Sequence, residues 1–106
     1  MPLFSIYAPD YTDEEAVQRR LAVRQTHLDT AAKNPSMKVG GAMLSPNDAL
    51  DKPDLEKKMI GSFMILECDT YEDAKKMIEG DVYWTGNVWD KEKTVIRPFV
   101  SPKLLS

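Results

Sequence analysis

Two rhythms of apolar and polar positions alternate along this chain. Residues 3–8, Leu-Phe-Ser-Ile-Tyr-Ala, form a strand-like run closed by Pro9-Asp10. From about residue 13 to 33 the apolar spacing turns helical. Thr12 stands at the N-cap position with Glu15 three residues on, a capping-box pattern, and Pro35 stops the helix. Residues 37–44 predict a second strand, interrupted by Gly40-Gly41. The polar stretch 45–58, with Pro46, Asp48, Asp51 and Pro53, predicts an exposed loop. Residues 60–68 alternate and are rich in large apolar side chains, which suits a central strand. Thr70 and Asp73 open a second helix that ends near Gly80. A connecting segment, 80–86, carries Asp81, Tyr83 and Trp84, and residues 88–100 supply a last strand.

The resulting order is strand-helix-strand-strand-helix-strand. It predicts an α+β, ferredoxin-like βαββαβ domain over residues 1–106, with a four-stranded antiparallel sheet and two helices on one face. The second and fourth strands are the edges of that arrangement. Pro98 in the last strand agrees, because proline cannot donate to ladders on both sides. Either Phe4, Ile6 and Ala8 or Leu3, Ser5 and Tyr7 must point away from the helices. A small chain covers an apolar sheet face most simply with a second copy, so a homodimer is expected.

Composition narrows the class further. The chain has 106 residues, 42% apolar and 29% charged, with a formal net charge of −3. This argues against a nucleic-acid partner, which a basic face would attract. No apolar run approaches the roughly 20 residues of a bilayer span. Met1-Pro2-Leu3-Phe4 has no signal-peptide character. One cysteine, Cys68, excludes an internal disulfide and reads as a small buried hydrophobe. The expectation is a cytoplasmic protein with no membrane partner. One His and one Cys argue against a metal site, and no phosphate loop or dinucleotide fingerprint is present.

The candidate chemistry begins on the first helix. His27 is the sole histidine, and histidine exchanges protons near neutral pH. At roughly 100° per residue, Val17, Leu21, Leu28 and Ala31 share one face. Arg24 falls inside that apolar arc, and His27 lies at its edge beside Arg20 and Ala16. Arg24 therefore needs a partner. It can snorkel to water, pair with Asp69 or Asp81, or hold an anionic ligand. His27 alone is equally consistent with a surface or capping role. Tyr7, Tyr83 and Trp84 are candidate pocket walls, with core or dimer packing as the alternative. Gly40-Gly41 marks either a β-bulge or a close approach of backbone to ligand at Gly41.

These residues resemble a known family. Phe4-Ser-Ile-Tyr7-Ala8-Pro9-Asp10, Arg19-Arg20-Leu21, Arg24-x-x-His27-Leu28, Val39-Gly40-Gly41-Ala42-Met43, Gly61-Ser62-Phe63, Glu79-Gly80-Asp81-Val82-Tyr83 and Val95-x-Arg97-Pro98-Phe99 occur in the order and spacing of the YciI-like (YCII-related) family. The resemblance spans nearly the whole chain. It implies a dimeric α/β-barrel, in which two ferredoxin-like sheets pack around a shared core. It also implies a His–Asp active site, which falls here on His27 and Asp81. Val82 stands where the family often has proline after the aspartate, and Tyr83 is kept. Loop 45–58 is longer and more polar than in compact members.

The function this suggests is a small enzyme, without cofactor, doing general acid/base chemistry on a small organic metabolite, aromatic or anionic. Elimination or isomerisation, a lyase-like step, is the reaction class. His27 and Asp81 would be catalytic, with Arg24, Tyr7, Tyr83, Trp84 and Gly41 around the substrate. Dehydrochlorination of a chlorinated hydroxyquinol is an activity known in the resembling family. The alternatives are a non-catalytic ligand-binding or accessory dimer, and a purely structural module with no pocket near Arg24.

Overall fold

The structure, a computed structural model, describes residues 1–103. Its elements are β1 (Leu3–Pro9), α1 (Ala16–Ala32), β2 (Met37–Leu44), β3 (Met59–Glu67), α2 (Tyr71–Glu79), α3 (Val82–Thr85) and β4 (Val95–Phe99). The strands form one antiparallel sheet in the order β2-β3-β1-β4, the ferredoxin-like arrangement. β1 and β3 are central. Ile6 lies opposite Met64 on one side and Ile96 on the other. Pro98 sits on the edge strand β4, where no ladder is broken on its far side.

The strand period of two assigns the faces. Phe4, Ile6 and Ala8 of β1, with Met64 and Leu66 of β3, turn inward and are buried with Ala74 and Ile78 of α2. Tyr83, Val88 and Trp89 complete this core. Each of these large side chains contributes roughly 1.5–3 kcal/mol by leaving water. Leu3, Ser5 and Tyr7 point to the other face, beside Phe63 and Ile65. Tyr7 is 50% exposed there and Phe63 37%.

Four local expectations change. The first helix starts at Ala16, later than expected, and Thr12 does not cap it. The Asp13 carboxylate accepts the Glu15 amide instead, and the Asp13 carbonyl accepts the Ala16 amide. Loop 45–58 contains two short 3-10 turns, 49–51 and 55–58. Gly40 and Gly41 keep unbroken pairing with Met64 and Phe63, so the bulge expected there is absent. The register shifts fall between Met37 and Val39 and between Met43 and Leu44. The last strand is short, because Val88 and Trp89 serve another purpose. Both amides donate to the Tyr83 carbonyl, which turns the chain so that the Trp89 indole plugs the core. Asp90 then organises the turn into β4 by accepting from the Glu92 amide and, through its carbonyl, from the Thr94 hydroxyl. Thr70 caps α2 as expected, accepting the Asp73 amide. Cys68 is buried, and burial pushes its thiol pKa up. No helix among the described residues is long and apolar enough to cross a membrane.

Candidate functional site

The face of α1 that meets the sheet is not the one the apolar count picked out. Ala16 and Arg20 are its buried residues, with Val23 packed against the core. Arg20, Val23 and His27 follow one another at spacings of three and four, on a single stripe. The neighbouring stripe, Arg24, Leu28 and Ala31, lines a cleft instead. Leu28 is 42% exposed. The two large rings of Tyr83 and Trp89 fill the space beneath α1, so an Arg and a His fit over them where bulky aliphatics would crowd.

Arg20, not Arg24, is the arginine that needed a partner. Only 2% of its side chain is exposed. Its Nε donates to Asp10 Oδ2 at 2.8 Å and its Nη2 to Asp10 Oδ1 at 3.0 Å, a forked pair. Nη2 also donates to Ser62 Oγ at 2.8 Å. The Trp89 indole N–H donates to the same Ser62 oxygen at 3.1 Å. Arg24 is partly exposed, and its contact is Glu56 of the loop at 3.6 Å, neither Asp69 nor Asp81. An exposed pair at that distance contributes little.

Above Arg20 rises a stack. The Tyr83 ring lies 4.5 Å from the guanidinium carbon, and the His27 ring stacks on Tyr83 at 4.0 Å with the planes 15° apart. Trp89 meets both rings edge-on. His27 Nδ1 lies 2.9 Å from Asp81 Oδ1. A carboxylate only accepts, so Nδ1 carries the hydrogen, and in the neutral ring the lone pair is left on Nε2. The same Asp81 oxygen accepts the Tyr83 amide at 2.9 Å and caps α3. This cap explains why Val82 can replace proline: Asp81 itself starts the helix. His27 Nε2 has no partner among the described residues and stays open to the cleft.

The cleft has a volume of about 490 Å³. α1 and Tyr83 form one wall and edge strand β2 the other. Gly40, Gly41 and Ala42 keep that second wall low, and a Cβ at Gly41 would meet nothing within 4 Å. Tyr83 is 1% exposed, yet its hydroxyl has no partner among the described residues and also reaches the cleft. Burial raises the Tyr83 pKa, while the charges of Arg20 and Arg24 pull against that rise. The phenol is therefore a neutral donor at physiological pH.

Of the residues picked from the sequence, His27, Asp81, Tyr83, Arg24 and Gly41 come together here. Tyr7 lies on the far face of the sheet, and Trp84 packs beside the core with Lys91 over its ring at 5.6 Å. Neither borders the cleft. Asp10, Arg20 and Ser62 were missed as site residues. Arg20 could have been found, since it precedes His27 by seven residues and so shares its helix face. Among the described residues no three carboxylate, imidazole or thiol groups come together to hold a metal ion.

Comparison with known proteins follows the same lines. The family model of the YCII-related domain matches residues 3–99. The chain belongs to the YCII-related family. The YCII-related fold is shared with 5-chloro-2-hydroxyhydroquinone dehydrochlorinase from Burkholderia phenoliruptrix, solved in complex with 2,5-dihydroxybenzoquinone. That match has a TM-score of 0.77 and 23% identity, over 92% of this chain and 93% of the other. A dimeric ferredoxin-like protein of unknown function from a Jannaschia species matches with a TM-score of 0.53 and 9% identity, over 95% of this chain and 100% of the other. At these identities the likeness is one of fold. None of the curated proteins matches this YCII-related chain.

Proposed function

We propose that this YCII-related protein is a small cytoplasmic enzyme that works without a cofactor. It moves a proton on a small aromatic or anionic metabolite, in an elimination or isomerisation. His27 is the acid/base group through Nε2. Asp81 orients the ring and stabilises the imidazolium once Nε2 has taken a proton. The observation that carries this reading is the 2.9 Å hydrogen bond from Nδ1 to Asp81, which leaves Nε2 unpartnered at the cleft. Arg24 holds an anionic group of the substrate at the mouth, displacing Glu56, and the Tyr83 phenol donates to a substrate oxygen. The dehydrochlorinase of the same fold, bound to a hydroxylated quinone, supports phenolic or quinonoid compounds as the substrate class. The working unit is a homodimer, closed through the sheet face that carries Tyr7, Phe63 and Ile65. The partly exposed apolar side chains on that face and the dimeric relative support it.

The test is turnover of chlorinated hydroxyquinols and related phenols by the wild type and His27→Ala. Loss of an acid/base group lowers the rate by roughly 10²–10⁴-fold. A His27→Ala variant that folds, dimerises and turns over at the wild-type rate refutes the mechanism. A wild type that binds these compounds and converts none points to the non-catalytic, ligand-binding reading.

A further inference from the structure

Ser62 sits in the middle of β3, at the base of the cleft, and is 3% exposed. A serine hydroxyl has one hydrogen to give and two lone pairs to receive with. Both receiving positions are taken by groups that can only donate. These are the Arg20 guanidinium at 2.8 Å and the Trp89 indole N–H at 3.1 Å. The hydroxyl hydrogen must therefore point away from both. No acceptor among the described residues takes it.

We infer that Ser62 is a further catalytic residue, a fixed hydrogen-bond donor to an oxygen of the ligand that is anionic or becomes so. The inference rests on the acid/base reading of His27 and names the group that receives the charge His27 releases. When Nε2 takes a proton from a substrate C–H or O–H, the electron pair left behind moves onto the substrate oxygen. For a C–H, the C–H bond breaks, a C=C bond forms, and the carbonyl π pair becomes an enolate lone pair. That oxygen then meets the Ser62 hydroxyl and the Tyr83 phenol, both held before the reaction begins.

The charge on Arg20, which borders the cleft beside Ser62, strengthens the Ser62 donor through their hydrogen bond. The guanidinium withdraws electron density through its hydrogen bond to Oγ, and both side chains are buried, which strengthens the effect. Asp10 balances that charge with two hydrogen bonds of its own, one from Nε and one from the same Nη2 that donates to Ser62. Arg20 and Trp89 are thus positioning residues for Ser62. The ligand class follows: a molecule carrying a phenolate, enolate or conjugated carbonyl oxygen.

The probe is 4-nitrophenol, whose phenol and phenolate forms absorb at different wavelengths. Its binding to the full chain is followed by absorbance across neutral pH for the wild type, Ser62→Ala, Ser62→Thr and His27→Ala. The wild type should favour the phenolate and lower the apparent ionisation pH of the probe. Ser62→Ala should bind phenolate roughly tenfold or more weakly, as for a lost hydrogen bond to a charged group. Ser62→Thr, which keeps the hydroxyl, should restore most of the preference. His27→Ala removes the group that takes the phenol's proton and should raise the pH at which bound phenolate forms, whereas Ser62→Ala should weaken binding even at a pH where the probe is already ionised, which separates the two roles. A wild type with no affinity or no preference for phenolate overturns the proposal, and so does a Ser62→Ala variant equal to wild type. If Ser62→Ala fails to fold, the wild-type spectrum decides. Bound phenolate should absorb at shorter wavelength than free phenolate in an aprotic solvent, and an unshifted band overturns the proposal. Loss of turnover in His27→Ala with no effect of Ser62→Ala leaves the acid/base reading standing and removes this one.

Discussion

Asp10 is the residue whose loss should damage this protein most for its size. In the folded chain 4% of its side chain and 2% of that of Arg20 are exposed, and two hydrogen bonds join them. Asp10→Ala removes the carboxylate and leaves the guanidinium buried with the Ser62 oxygen, the face of the Tyr83 ring and a weak contact to the Met59 sulfur at 4.0 Å, none of which carries a negative charge. Breaking a buried pair in this way costs about 3–5 kcal/mol, since the remaining charge keeps its desolvation penalty and loses its compensation. Domains of this size are stable by roughly 5–15 kcal/mol, so the variant loses between a fifth and all of its margin. Urea unfolding at pH 7 and one fixed protein concentration measures it. At roughly 1–3 kcal/mol per molar, the midpoint should fall by on the order of 2 M. Asp10→Asn keeps an acceptor oxygen and should fall less. The double variant Asp10→Leu with Arg20→Met removes both charges and should recover much of the loss. A midpoint for Asp10→Ala close to wild type would refute the reasoning, and so would a double variant weaker than the single.

Four further outcomes follow from the same geometry. Asp81→Ala removes the acceptor of both the His27 Nδ1–H and the Tyr83 amide and should cost about 1 kcal/mol through the lost cap, whereas Asp81→Asn, which keeps one oxygen, should cost less in thermal unfolding. Asp13 has its carboxyl lowered from 3.8 to about 2, chiefly by hydrogen bonds from Arg19, so its contribution to stability is present above pH 4 and disappears as pH falls towards 2; Asp13→Asn should flatten that part of the acid-unfolding curve. Burial raises the pKa of Tyr83 above 10, so its contribution is full below pH 10 and declines as the solution becomes more alkaline; an ultraviolet titration should show one late-ionising tyrosine that vanishes in Tyr83→Phe. Gly41→Leu should leave thermal stability near wild type, as open space surrounds that position, while blocking the uptake of 4-nitrophenol; unchanged uptake would show that ligands do not use this cleft.

The fold was legible where local pattern and tertiary context agree. The six main elements, the edge position of Pro98 and the Thr70 cap all follow from periodicity and local chemistry. The face of α1 did not. Leu28 and Ala31 of the apolar arc lie along the cleft, while the stripe against the sheet holds an arginine and a histidine around Val23, because aromatic rings from residues 83 and 89 supply the apolar surface there. A helical count cannot see rings that arrive from more than fifty residues away. Segment 88–94 misled for a related reason. Val88 and Trp89 look like strand residues, yet their amides turn back to the Tyr83 carbonyl. His27 and Asp81 were within reach of a sequence reading, through the histidine's isolation and the family spacing. Asp10 and Ser62 were not, since each gains its meaning only from Arg20 lying between them.

One oxygen of Asp81 serves two masters, the His27 ring and the first turn of α3. The orientation of the imidazole and the docking of residues 81–89 are therefore one event. A chain in which that segment has peeled away keeps a sheet and α1 but has no aligned base, so partly open forms should be inert. The converse also holds: any ligand seated on His27 restrains that segment. Amide protons of Tyr83, Val88 and Trp89 should then exchange with solvent more slowly when the cleft is filled, though none of them touches the ligand.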